Sequence, residues 1–263
     1  MKGLNEIMSK KTNLLGSAAL AGLLAFAVSG PAIADDLNAG VIELAQADTE
    51  GTATEDTGTE STETEGATDE ATSAVEAPAP EGEVDMEAVL EEGPLEEMVL
   101  GEADAPVTIV EYMSMTCPHC AAFHNETFDA LKEKYIETGQ VRFIMRDFPF
   151  DPRAAAATML ARCADDGKYF PMVDMLFEQQ QQWAAAEDAR GALLQLSRMA
   201  GFTQESFEEC LTNQQLLDDV NAVRERAAEE FGVQSTPSFI INGQRYAGNM
   251  SIEQMSAIID GQL

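Results

Sequence analysis

Two of the chain's four cysteines stand two residues apart in "MSMTCPHCAAFH" (Met113 to His124), separated by Pro118 and by His119, one of only two histidines. Such a pair can attach haem, bind zinc, staple a fold or exchange electrons. Haem attachment needs a histidine directly after the second cysteine, and Ala121 stands there. A structural zinc site takes four ligands, of which Cys117, Cys120 and His124 supply three, with no second cysteine pair nearby. A staple across so small a ring removes little chain entropy. Electron exchange has a positive case. A cysteine at the first turn of a helix faces unpaired backbone N–H groups and the positive end of the helix dipole, which favour thiolate over thiol. Cys117 is then the exposed nucleophile, and Cys120, one turn below and more buried, is its resolving partner.

The flanking elements fit that geometry. "APVTIVEYM" (Ala105 to Met113) reads as a buried strand. From Cys117 the apolar residues Phe123, Phe128, Leu131 and Tyr135 recur at helical steps, Pro118 occupies the first helical position and Gly139 closes the helix. "QVRFIMRDFPF" (Gln140 to Phe150) is a second strand, parallel to the first if the helix is a crossover. About eighty residues of helical periodicity follow from Asp151, with Gly201 and Gly232 as stops. "TPSFIING" and "QRYAG" then form a hairpin around Asn242-Gly243, and Ser251 caps a final amphipathic helix. The predicted order is β-α-β, a helical block, then β-β-α.

The motifs "EYMSMTCPHC", "RDFPF", "TPSFIINGQRYAG" and the helical block between them resemble the DsbA family of thiol:disulfide oxidoreductases over about Leu100 to Leu263. The resemblance implies an α/β thioredoxin-like fold with a helical insertion at about 152–231. It also implies a proline, usually cis, opposite the cysteine pair, and Thr236-Pro237 holds that position. Pro-His between the cysteines is the dipeptide of strongly oxidising members, and His119 can face the thiolate as a cation or stand as an exposed first-turn residue. Glu111 matches the family's buried acid near the disulfide, a relay for the Cys120 proton; the alternative is an ordinary strand-edge carboxylate. No bound cofactor or metal is implied, since the sulfur pair carries the electrons. The implied partners are exported folding proteins with free thiols and a membrane quinone-linked reoxidant similar to DsbB.

The termini and charge set the compartment. Lys2, Lys10 and Lys11 precede the apolar run Leu14 to Val28, and Ala32 and Ala34 form an A-x-A site, the pattern of a cleaved signal peptide over residues 1–34. Export, here read as periplasmic, permits disulfides to persist. Cys163 and Cys210, both in the helical block, are then expected to pair in a structural bridge worth up to about 4 kcal/mol, or else to remain two buried thiols. Between residues 35 and 102 lie 22 acidic residues and no basic one, which supply most of the net charge of −32. Residues 35–97 read as a mostly disordered acidic linker, and 98–263 as one domain; "DMEAVLEEGPLEEMVLG" (Asp85 to Gly101) has a helical period up to Gly93-Pro94 and reads as a lead-in helix or an edge strand. Such charge excludes a nucleic-acid partner, which needs a basic footprint. Donation of the Cys117–Cys120 disulfide is the leading function. An isomerase or reductase of the same fold, or a thiol-based metal-handling protein, is the alternative.

Overall fold

A computed structural model of the chain describes residues 75–165 and 167–263. The signal-peptide reading of 1–34 and most of the acidic linker fall outside the described residues. The centre of the domain is a mixed sheet of six strands: β1 (Gly82–Glu83), β2 (Met98–Leu100), β3 (Val107–Met113), β4 (Val141–Asp147), β5 (Ser238–Ile241) and β6 (Gln244–Ala247). Their order across the sheet is β1-β6-β5-β3-β4-β2. β3 and β4 run parallel, and every other neighbouring pair is antiparallel. The parallel pair requires a crossover, and the helical stretch that begins at Pro118 supplies it.

That stretch ends close to the expected stop at Gly139 but is less regular than its sequence period suggests. α2 (Pro118–Phe123) passes into a π-helical turn, His124–Phe128, then α3 (Asp129–Leu131) and a second π-turn, Lys132–Ile136. The strand expected to reach Phe150 stops at Asp147, because Phe148-Pro149-Phe150 leads into the helical insertion and Pro149 has no N–H for a ladder. The insertion holds α4 (Pro152–Arg162), α5 (Tyr169–Glu178), α6 (Gln180–Ala184), α7 (Ala189–Met199), α8 (Gln204–Leu211) and α9 (Gln214–Glu230). Two stretches of continuous helical period, "YFPMVDMLFEQQQQW" and "SFEECLTNQQLLDDVNAVRERAAEEFG", are each broken. Asn213 caps α9 by accepting from Leu216 N, and Gln179 parts α5 from α6. After the insertion, Asn242 (φ 45°) and Gly243 (φ 90°) make the tight hairpin turn. α10 (Ile252–Asp260) closes the fold, capped reciprocally by Ser251 and Gln254.

Strand alternation divides the core in two. Ile109, Met113, Phe143 and Ile241 face α2, α10 and helices α4 to α8 of the insertion; Val110, Tyr112, Ile144 and Ile240 face the opposite side with Ala227 of α9 and Phe231. Glu111 shares the face of Ile109 and Met113, which turns a carboxylate toward the cysteine helix.

The end of the acidic stretch is ordered, with the lead-in helix that its period suggested. Within 75–97, β1 pairs with β6, and α1 (Met86–Val89) buries Val89 completely in the second core. Arginines of the domain offset the acids: Arg245 meets Glu81 at 3.2 Å, Arg226 meets Glu91 at 3.0 Å and Arg146 meets Glu97 at 2.9 Å. Composition alone does not show this, because the apolar residues Val84, Met86 and Val89 are few and the acids' cationic partners lie 49 or more residues away.

Arg162 joins α4 to the same region, donating to Glu96 O at 2.6 Å and bridging the fully buried Asp147 at 2.7 Å. Removing it leaves a buried carboxylate without its cation. Arg162→Ala is therefore expected to lower unfolding free energy by about 3–5 kcal/mol in urea titration. A loss within the usual surface range of about 0.5 kcal/mol would contradict this role.

Candidate active site

Cys117 is the N-cap residue of α2, with extended backbone (φ −75°, ψ 120°), and Pro118 follows at the first helical position. Proline's fixed φ suits that position, and its missing N–H is one the helix leaves unpaired anyway. The next free amides, of His119 and Cys120, turn toward Cys117 Sγ. Cys117 and Cys120 are unbonded here; Cys117 is partly exposed and Cys120 fully buried.

The two sulfurs have opposite proton affinities. The Cys120 thiol, donating to Cys117, is the main cause that brings Cys117 down to about 5. Partial burial opposes this, while Thr236 and the Cys120 and His119 amides reinforce it. Burial pushes Cys120 well up, and its bond to Cys117 and the charge of Glu111 push the same way. One sulfur is poised as an anion and the other holds its proton.

Thr236 closes the site from the far side. The Thr236–Pro237 bond is cis, and Thr236 O lies 3.1 Å from Cys117 Sγ, accepting from the sulfur while it is protonated. That carbonyl favours the thiol. The buried Thr236 hydroxyl has no other partner among the described residues and favours the anion. The site thus brings together Cys117, Cys120, Thr236 and Pro237. His119 joins through its backbone, and its side chain is exposed.

Glu111 is not at a strand edge. It lies in central β3, is fully buried, and holds His124 Nε2 at 3.0 and 3.2 Å through its two oxygens. His124, weighed in the sequence only as a third zinc ligand, has its Nε2 on Glu111 and its ring stacked on Phe177 at 4.5 Å. A charged residue inside the apolar run of β3 was the available sign that a buried partner must exist. Cys163 and Cys210 lie in the insertion and are joined to each other, closing a separation of 47 residues.

Asp151 links the insertion to the cysteine turn. One oxygen caps α4 through the amides of Arg153 and Ala154, and the other accepts from Thr116 Oγ1 at 2.6 Å. Burial would raise its carboxyl, but the Thr116 and backbone hydrogen bonds outweigh this and leave it lowered. Its stabilising contribution is therefore full above the unfolded carboxyl range near pH 4 and is lost as pH falls through the lower folded value. Asp151→Ala is expected to cost about 0.5–2 kcal/mol at pH 7, with the difference from the parent vanishing in strong acid. Urea titrations at neutral and acid pH check both halves. A difference that persists or grows in acid would contradict the cap.

Known proteins carry the same frame. A protein-family model described as thioredoxin matches residues 94–261. A Rickettsia bellii protein provisionally named a protein-disulfide oxidoreductase is 34% identical over 165 residues, 62% of this chain and 63% of the relative. The match thus spans less than two thirds of that relative's length. Among solved structures, Wolbachia pipientis alpha-DsbA1 superposes with a TM-score of 0.61 at 28% identity, covering 66% of this chain and 94% of that one. Oxidised BdbD from Bacillus subtilis, at 20% identity, matches in fold alone, with a TM-score of 0.58 over 71% of this chain and 98% of that one.

Proposed function

This chain belongs to the DsbA-like thioredoxin family, and from that premise we propose that it is an exported thiol:disulfide oxidase that donates a Cys117–Cys120 disulfide to folding proteins. The observation that carries the reading is the opposed pair of sulfurs, Cys117 near 5 beneath two helix amides and Cys120 well above its ordinary value. A client thiolate attacks Cys117 Sγ. A client–Cys117 disulfide forms, the Cys117–Cys120 bond breaks, and Cys120 leaves as a thiolate. Burial drives Cys120 to take up a proton, which prevents its return. Glu111, held by His124 on the same face of the sheet, is the proton carrier in this reading. A second client thiolate then attacks the client's own sulfur, and Cys117 leaves as a stable anion. The client has lost two electrons and the pair has gained them.

Thr236 and Pro237 border the groove that holds the client's extended backbone, and His119 lends its amide to the leaving Cys117. Export rests on the leader-like residues 1–34 and agrees with the Cys163–Cys210 bridge. Reoxidation falls to a membrane quinone-linked protein similar to DsbB. The test is to mix the oxidised protein with a reduced, unfolded client and follow client disulfides. The oxidase reading expects stoichiometric transfer and a protein isolated with its pair oxidised. Isolation in the dithiol form, with reshuffling of scrambled clients but no net oxidation, would make it an isomerase or reductase. Stoichiometric bound metal would make it a metal-handling protein.

A further inference from the structure

Gln180 opens α6 inside the insertion and is only 6% exposed, although it belongs to a run of four glutamines. Its Nε2 donates to Met115 O and to Cys117 O, each at 2.9 Å. A carboxamide nitrogen has two protons, and both are used on the backbone that carries the nucleophile. The same turn is closed by Cys117 N donating to Ser114 O at 3.0 Å. Trp183, fully buried one turn on, anchors α6 by donating from Nε1 to Leu176 O at 2.8 Å.

We propose that Gln180 is a positioning residue for thiol–disulfide exchange: from the insertion it fixes the two carbonyls on either side of Thr116, and with them the direction of the amides that face Cys117 Sγ. The chain of cause is short. Cys117 O belongs to the Cys117–Pro118 peptide plane, and Pro118 has no N–H to anchor that plane from its other side. The carbonyl has two donors, Ala121 N at 3.2 Å and Gln180 Nε2. Its orientation sets the first turn of α2 and so the aim of the His119 and Cys120 amides. Amide hydrogen bonds to an anion hold it only while they point at it. Gln180 touches no sulfur and acts through the backbone. It gives the insertion a direct hold on the redox pair.

The inference rests on the exchange reading above, but its test reads the thiol itself. Gln180→Met keeps length and bulk while removing both donors, and Trp183→Phe loosens the same short helix without touching the carboxamide. In the reduced full-length protein, Gln180→Met is expected to raise the midpoint of Cys117 thiolate absorbance by at least about one pH unit. Its equilibrium with glutathione should move about tenfold toward the protein disulfide. Trp183→Phe should lower the melting temperature and leave both readouts near the parent. If Gln180→Met fails to fold, Gln180→Leu carries the test, since it offers no donor to either carbonyl and adds no charge beside Cys117. An unchanged Cys117 midpoint in the folded variant overturns the proposal, as does an equal shift in Trp183→Phe. Neither result bears on whether the parent oxidises clients.

Discussion

Cys120→Ser is expected to collect as a mixed disulfide with a disulfide-bearing client, while Cys117→Ser forms no adduct and neither variant turns over. The asymmetry follows from burial. Cys117 is partly exposed and anionic, so it attacks a client disulfide: a Cys117–client bond forms, and the second client sulfur leaves as a thiolate. In the parent, Cys120 then displaces the client and closes the pair. Serine cannot do this, because its oxygen does not form the second sulfur–sulfur bond. Cys120 itself, fully buried and with its proton held tightly, does not start the reaction. Non-reducing electrophoresis with mass mapping of the adduct reads the result. An adduct through Cys120 in Cys117→Ser would reverse the roles.

The second large effect is on pH dependence. The reaction of reduced protein with an aromatic disulfide should reach half its plateau near pH 5, where Cys117 titrates. An ordinary cysteine does so near about 8.5. Rate alone is a poor sign, because nucleophilicity falls with pKa at a slope of about 0.4–0.5. At pH 7 that loss nearly cancels the gain in anion, so Cys117 should react about as fast as a normal thiol. At pH 5.5 the gain wins, and Cys117 should be faster by on the order of twentyfold. The same lowering ties stability to redox state. Folding lowers the Cys117 value, so the reduced form has the full benefit above about pH 8.5 and loses it as pH falls through about 5. Urea midpoints of the reduced and oxidised forms should therefore converge toward pH 5. A reaction midpoint near 8.5, with no convergence, would contradict the thiolate assignment.

The parts of this site legible in the sequence are those set by local chemistry. Cysteine-proline at a helix start, Asn242-Gly243 between two short strands and Ser251 before an apolar helical run each declare their geometry within a few residues. Thr236-Pro237 and Glu111 were placed by resemblance to a family. For Glu111, the interruption of an apolar strand was an independent sign. His124 was visible as a residue but not as a partner of Glu111, because the two lie thirteen residues apart and meet only when β3 and the cysteine helix pack. The π-turns after Phe123 have no residue signature. Gln180 was the least accessible. A glutamine among glutamines has no periodic mark, and its partners lie 63 and 65 residues away. Its place one helical turn before Trp183, on the face that carries a buried aromatic, was the only hint. In the lead-in, the helical period before Gly93 was legible, whereas the arginines that offset its acids were not, because they lie far along the chain.

The equilibrium of the Cys117–Cys120 pair with glutathione at pH 7 tests whether the pair is a disulfide donor. A reduced form stabilised as the Cys117 thiolate makes the disulfide a strong donor. The predicted midpoint potential therefore lies above about −180 mV, the value of an isomerase-type pair. Cys120→Ser cannot close the pair and serves as the blank. A midpoint near about −270 mV, where thioredoxin lies, would mean that the pair prefers to stay oxidised, and would contradict its role as a disulfide donor.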